Sequence, residues 1–392
     1  MIRRLKFNNF YSFKEEQEIS FIANKKKSYD YFSSPTGDQI TKIAGFIGGN
    51  ASGKTNIMRL FSFIRYFVCE TSKKDSEAKQ HIATKSFFNN LELSNFYVEF
   101  EITDMLYSYE FSVQDNSILS ESLSLKQIKQ NAKWVNVYKR KNNSIEKLST
   151  RFIKGLPTSF ISNIRSDISL IAFIKANYSV SIIDTVFDYF SRMRTNINEV
   201  GDINNSRHKQ NTLRMYLQDV DLKKLMEDFV CKFDLGLLSF EIKRLEDENK
   251  SDIAVRGLHH TAEPNQFLDF IYESRGTQSL FFTLANILSA LRNNSTAIID
   301  EIELGLHPEA LNKLIRYFID ENSSGSAQII FSSHSLGFMS ILDMHQIYLV
   351  EKNDNGESHS YRLNQVENIR SDENYLAKYM TGSYGAYPKI KT

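Results

Sequence analysis

The chain has 392 residues, 24% of them charged and balanced to a net charge of +1, with 41% hydrophobic. That length can bury a large core as one big α/β domain with an insertion, or as two domains. The balanced charge sets up no chain-wide field that demands a nucleic-acid or membrane partner, although a local basic patch stays open. No run of about 18 apolar residues occurs, and the start Met1-Ile2-Arg3-Arg4 is not a signal-peptide core. Two cysteines, Cys69 and Cys231, make neither a disulfide framework nor a zinc site. A soluble, cytoplasmic protein is expected.

In chain order, alternating apolar residues predict an antiparallel pair of strands over 2–10 and 17–22. Residues 24–39, with Lys25-Lys26-Lys27, Pro35 and Gly37, read as a loop whose lysines form a solvated turn. An apolar strand over 43–47 then enters Gly48-Gly49-Asn50-Ala51-Ser52-Gly53-Lys54-Thr55, which fits GxxxxGK[ST], and a helix is expected over 53–68. In such a loop backbone N–H groups turn inward around the β- and γ-phosphates of a nucleotide. Lys54 adds a point charge, and the Thr55 hydroxyl reaches Mg²⁺. The helix N-terminus contributes its partial positive charge. Gly48, Asn50, Ser52, Gly53, Lys54, Thr55 and Asn56 are the candidate nucleotide-binding residues.

Strands are next expected over 96–103, 106–113, 118–125 and 134–139, half-exposed and antiparallel by their alternation. From 155 to 233 the pattern turns helical, and residues 151–233 read as an inserted helical subdomain between lobes 1–150 and 234–392. Its apolar heptads are too short for a coiled-coil arm. Arg192, Arg194, Arg207, His208 and Lys209 read as a solvated face. Further strands are predicted over 236–245, 253–259 and 267–271, and His259-His260 has no second ligand set at zinc spacing.

Glu273-Ser274-Arg275-Gly276-Thr277-Gln278 precedes a strongly amphipathic helix, which places N–H-rich small residues at a helix start. Alone this is an ordinary serine cap. Directly downstream, the apolar strand Thr296-Ala297-Ile298-Ile299 ends in Asp300-Glu301, a Walker B arrangement. Asp300 would hold Mg²⁺ and Glu301 would orient or deprotonate the attacking water. His307-Pro308 opens another helix, and a strand over 328–332 delivers Ser333-His334-Ser335, where His334 is a candidate γ-phosphate sensor. Two last strands are expected over 347–352 and 358–363, around a turn at Asn353-Asp354-Asn355-Gly356.

The order of P-loop, signature-like turn, Walker B, His-Pro loop and switch histidine resembles the ABC-type ATPase head shared by SMC, RecF and OLD proteins. Residues 50–56, Glu273 to Gln278, Asp300-Glu301-Ile302-Glu303 with Leu306-His307-Pro308, and the tail Gly382 to Pro388 are similar to OLD-like ATPases of bacterial abortive-infection systems. The resemblance implies an α/β P-loop NTPase of ABC/SMC/RecF-head type, with an antiparallel β-subdomain and a helical insertion. It implies ATP and Mg²⁺ as ligands. It also implies heads that pair head-to-tail as dimers or higher oligomers, so that Ser274, Gly276 and Gln278 of one chain close on the ATP held by Lys54 of the other. No glutamine is assigned to a Q-loop, although Gln80 precedes a plausible segment. Few residues follow His334, so a nuclease or toxin, of Toprim or HNH type for example, is expected on a separate chain. The expectation is an ATP-hydrolysing sensor or scaffold of an antiviral defence system that answers a phage trigger. The alternatives are a RecF-like DNA-repair ATPase and a scaffold that binds ATP and barely hydrolyses it.

Overall fold

The computed structural model describes residues 1–23, 28, 30–72, 82–129, 131–142, 144–154, 156, 164–201, 206–234, 236–244, 253–262 and 264–387. Lys25 to Lys27, Gln80, Pro388 and the side chains of Arg207 and His208 lie outside the described residues.

Strands β1 (Ile2–Asn8) and β2 (Gln17–Ser20) pair antiparallel, Arg4 opposite Ser20, as their alternation predicts. The expected loop over 24–39 is corrected by the structure. Strands β3 (Ile22–Ala23), β4 (Tyr31–Ser33) and β5 (Gln39–Thr41) form a small antiparallel sheet in the order β3-β5-β4. Strands this short carry no measurable alternation, and the Pro35 and Gly37 turn between two of them hides the pair. Strand β6 (Ile43–Ile47), buried throughout, leads to helix α1 (Lys54–Cys69).

Strands β7 (Ser94–Ile102), β8 (Met105–Gln114), β9 (Ser117–Gln127), β10 (Val135–Lys141) and β11 (Ser144–Leu148) complete an antiparallel sheet of seven, ordered β11-β10-β9-β8-β7-β1-β2. Helices α2 (Leu170–Asn177) and α3 (Ser181–Ser191) follow. Then come strand β12 (Arg194–Thr195), helices α4 (Ser206–Gln218) and α5 (Val220–Val230), and the antiparallel strands β13 (Leu237–Arg244), β14 (Ile253–His259) and β15 (Gln266–Asp269). The last part of the chain holds α6 (Arg275–Asn293), β16 (Thr296–Ile299), α7 (Pro308–Glu321), β17 (Gln328–Ser333), β18 (Ile347–Lys352), β19 (Ser358–Arg362) and α8 (Tyr375–Met380).

The central sheet runs β12-β16-β17-β6-β18-β19, parallel except for the β18–β19 hairpin. Its four inner strands, β16, β17, β6 and β18, are largely apolar on both faces, as buried parallel strands must be. Ala44, Phe46, Ile298, Ile330 and Tyr348 point into one core, shared with α1, α2, α3 and the seven-stranded sheet. Their neighbours Ile43, Ile47, Ile299, Ile329 and Leu349 point into the other, shared with α4 to α7.

The stretch read as a single inserted helical subdomain, 151–233, is divided between these cores. Helices α2 and α3 lie on α1, α4 and α5 lie on α6, and β12 between them joins the central sheet beside β16. Among the described residues no single helix is long and apolar enough to cross a membrane.

Candidate nucleotide-binding and hydrolysis site

Parallel pairing brings three strand ends together. Ile47 lies opposite Ser333 across β6 and β17, and Phe331 opposite Ile299 across β17 and β16. The loops that follow these strands, carrying Gly48 to Gly53, His334 and Asp300-Glu301, therefore share one edge of the sheet. That edge, beyond the carboxyl ends of the strands, is where open α/β sheets bind ligands.

In the P-loop two glycines are required by space. A Cβ on Gly48 would lie 2.1 Å from the Val350 carbonyl oxygen, and one on Gly53 would lie 2.6 Å from Ser358 Oγ. Gly53 also holds φ 118°, a left-handed value that glycine adopts without strain, and it caps α1. The Lys54 side chain is buried, and its amine donates to the carbonyls of Gly48 and Gly49, both at 2.8 Å. Burial pushes the Lys54 amine down to about 8, with Glu303, Asp300 and Glu301 pulling the other way. Ser52 Oγ is buried and finds no hydrogen-bond partner among the described residues. Asn50 is exposed on the loop. Asn56 turns its amide away to Ser12 Oγ at 2.8 Å and accepts from Arg59 at 3.1 Å, so its contacts tie α1 to the loop between β1 and β2.

Asp300 is buried, accepts from the Ser332 hydroxyl, and lies 3.5 Å from Thr55 Oγ1. Burial raises its carboxyl above the usual carboxylate range, against the hydrogen bonds from Ser332 and Thr55. Its Oδ2 is buried without a partner among the described residues. A threonine hydroxyl beside an unpaired carboxylate oxygen is a hard-oxygen donor set that fits Mg²⁺, which commonly takes one or two protein oxygens and keeps water and phosphate for the rest.

Glu301 is partly exposed and left-handed, with φ 50°, and its N–H donates to Ser332 Oγ at 2.8 Å. Its carboxylate lies 3.9 Å from His334 Nε2, while His334 Nδ1 lies 3.5 Å from Lys54 Nζ. The His334 N–H donates to Glu303, whose second carboxylate oxygen is buried and unpaired among the described residues. One edge thus gathers a cation, a hydroxyl, three carboxylates and an imidazole, the parts needed to hold a triphosphate and activate water beside it. Ser332, Glu303 and Asn196, which all bond to this edge, have no role assigned to them from the sequence. Glu303 stands two residues past Glu301 and Ser332 just before Ser333-His334, so both had a local signal, whereas Asn196 had none.

The turn at Ser274 to Gln278 is organised separately. Ser274 caps α6 by accepting from the Thr277 N–H at 3.0 Å. Gln278 Nε2 donates back to the Glu273 and Ile271 carbonyls at 2.9 and 3.2 Å. A Cβ on Gly276 would lie 2.6 Å from the Gly305 carbonyl oxygen, so this helix start presses on the loop that follows Glu301. Ser274 and Gly276 line a cavity of about 570 Å³ with His307 and Lys313. Gln278 and Arg275 line another of about 440 Å³ that reaches Glu301. Among the described residues, neither Ser274 nor Gln278 hydrogen-bonds to the P-loop of its own chain.

Residues 43–340, a span that contains all of these elements, match the family described as "AAA domain, putative AbiEii toxin, Type IV TA system". Similar solved structures include an SMC head bound to the C-winged helix domain of ScpA, 14% identical, covering 93% of this chain and 99% of that one, with a TM-score of 0.48. Another is the SMC head domain from Thermotoga maritima, 15% identical over 92% and 98% of the two chains, with a TM-score of 0.43. A third is an Smc head domain with an extended coiled coil, bound to the C-terminal domain of ScpA derived from Pyrococcus furiosus. It is 13% identical over 93% and 97%, with a TM-score of 0.41. Among curated proteins no match is found.

Proposed function

The chain belongs to this AAA-domain family of P-loop ATPases, and on that premise we propose that it binds ATP with Mg²⁺, hydrolyses it slowly, and acts as a dimeric switch in an antiviral defence system. The observation that carries the catalytic part is the gathering of Lys54, Thr55, Asp300, Glu301 and His334 at one strand edge, where Asp300 keeps a buried oxygen without a partner among the described residues.

In this reading the backbone N–H groups of the P-loop and the N-terminus of α1 hold the phosphates. The Lys54 amine exchanges its bonds to Gly48 and Gly49 for phosphate oxygens. Thr55 and Asp300 would hold Mg²⁺, which when bound would supply positive charge beside the phosphates. Glu301, aimed by its left-handed backbone, orients the attacking water and takes its proton. His334 sits between Glu301 and Lys54, where its ring can donate to the terminal phosphate.

A P-loop covers one side of a triphosphate, and a second helix start completes the cage. Ser274, Gly276 and Gln278 of a second copy take that role in a head-to-tail dimer. The family's description names a toxin of a toxin–antitoxin system, which supports a defence role. The protein then resembles OLD-like ATPases in holding a separate effector, a nuclease or toxin of Toprim or HNH type, until a phage component binds.

The hydrolysis assignment is tested by Glu301→Gln, which should retain ATP binding and lose turnover about 10²-fold or more. Undiminished turnover in that variant refutes the role of Glu301. The same assay with duplex DNA separates the RecF-like alternative, which calls for salt-sensitive stimulation of turnover. The balanced charge of the chain offers it no support.

A further inference from the structure

We infer that Asn196 is a positioning residue for Glu301, acting through the Asp300 peptide and resting on the hydrolysis reading above. The Asn196 side chain makes two bonds to one residue. Its Nδ2 donates to the Asp300 carbonyl and its Oδ1 accepts from the Asp300 N–H, both at 2.8 Å. Strand β12 ends at Thr195, and the Asn196 N–H makes a last ladder bond to Ile298 O at 3.3 Å. The side-chain amide then substitutes for the missing strand, pairing both polar groups of the Asp300 backbone one step past the end of β16.

That support is needed because the next residue is held against its preference. Glu301 has φ 50°, a conformation disfavoured for a residue with a side chain, and such geometry persists only where neighbours fix it. Ser332 Oγ fixes it from the β17 side through the Glu301 N–H. Asn196 fixes it from the β12 side. The segment that carries Asn196 is itself anchored, because Ile197 O accepts from Ser62 of α1 at 2.9 Å and Arg194 Nε donates to Ser289 of α6 at 3.0 Å. Asn196 also lines the cavity that Glu301 faces. Without this amide the peptide between Asp300 and Glu301 can rotate, and the carboxylate swings away from the water it must orient. Misplacement by about 1 Å costs on the order of 10²-fold in rate.

The test uses the full chain with ATP and Mg²⁺ and compares Asn196→Ala and Asn196→Asp with wild type and Glu301→Gln. The aspartate variant keeps the shape of the side chain while setting an oxygen against the Asp300 carbonyl, so it reads the hydrogen bond even if the alanine variant fails to fold. Both should lose about 10- to 100-fold in kcat while the nucleotide Kd stays within about threefold. Turnover of the aspartate variant equal to wild type overturns the inference, as does a Kd that rises in step with the fall in kcat. A wild-type chain that binds ATP without turnover removes the hydrolysis reading and this inference together, whereas unaffected variants beside an active wild type remove this inference alone.

Discussion

The starts of α1 and α6 are two helix N-termini, one capped by a glycine and the other by a serine, and the chain wires them in opposite ways. At α1 the cap is Gly53, which has no side chain to spend on the first turn; the Asn56 N–H bonds to the Gly53 carbonyl at 2.9 Å, and no side chain caps the N–H groups of Lys54 and Thr55 among the described residues. At α6 the Ser274 hydroxyl occupies the Thr277 N–H, and Gln278 ties down the loop before the helix. On the proposed reading the first would be an anion site complete within one chain. The second, capped at Thr277 by its own serine, would become a phosphate ligand only when another surface is pressed against it. Lys54 would then control binding, while the α6 start would control pairing.

This contrast can be broken in steps. Lys54→Ala should have the largest effect, removing charge-assisted bonds to the phosphates and weakening ATP affinity about 10²-fold or more in a fluorescent-nucleotide titration. Affinity unchanged in that variant means that the P-loop is not the site. Gly276→Val should sharpen the contrast from the other side. Its added carbons collide with the Gly305 carbonyl, so turnover should drop more than about 10-fold while nucleotide Kd moves less than about twofold. Equal losses in both would mean that the two helix starts are not separable.

A smaller effect is expected from pH. The Lys54 amine is charged below about 8 and neutral above it, so ATP affinity should be level up to that point and then weaken as pH rises, by up to about tenfold per unit. The trend should disappear in Lys54→Arg, whose guanidinium stays charged. A pH dependence that persists in the arginine variant assigns the titration to another group. Least of all, Ser274→Ala should cost about 1 kcal/mol of stability through loss of the cap, read in a urea melt, with nucleotide Kd unchanged.

What could be read from the sequence follows the same divide between local and distant causes. The P-loop, the Asp300-Glu301 strand end and the strand before His334 are local patterns, a glycine spacing or an apolar run that stops at charge, and the structure places all three at one edge. The small sheet formed by β3, β4 and β5 escaped because two- and three-residue strands have no period to detect. Strand β12 escaped for the same reason. It lies between helical patterns, and only its place beside β16 makes it a strand. Asn196 follows from β12, so its role could not be seen until the chain was folded. Asn56 shows the reverse case. Its position beside the P-loop suggests a ligand contact, while its amide is bound to Ser12.

The most direct test of head-to-tail pairing around a shared triphosphate is the mass of Glu301→Gln in solution with and without ATP and Mg²⁺, measured by sedimentation. The account predicts a nucleotide-dependent doubling in mass that is lost when Lys54→Ala or Gly276→Val is added. A mass that does not respond to saturating ATP, or a dimer that survives Gly276→Val unchanged, would contradict it.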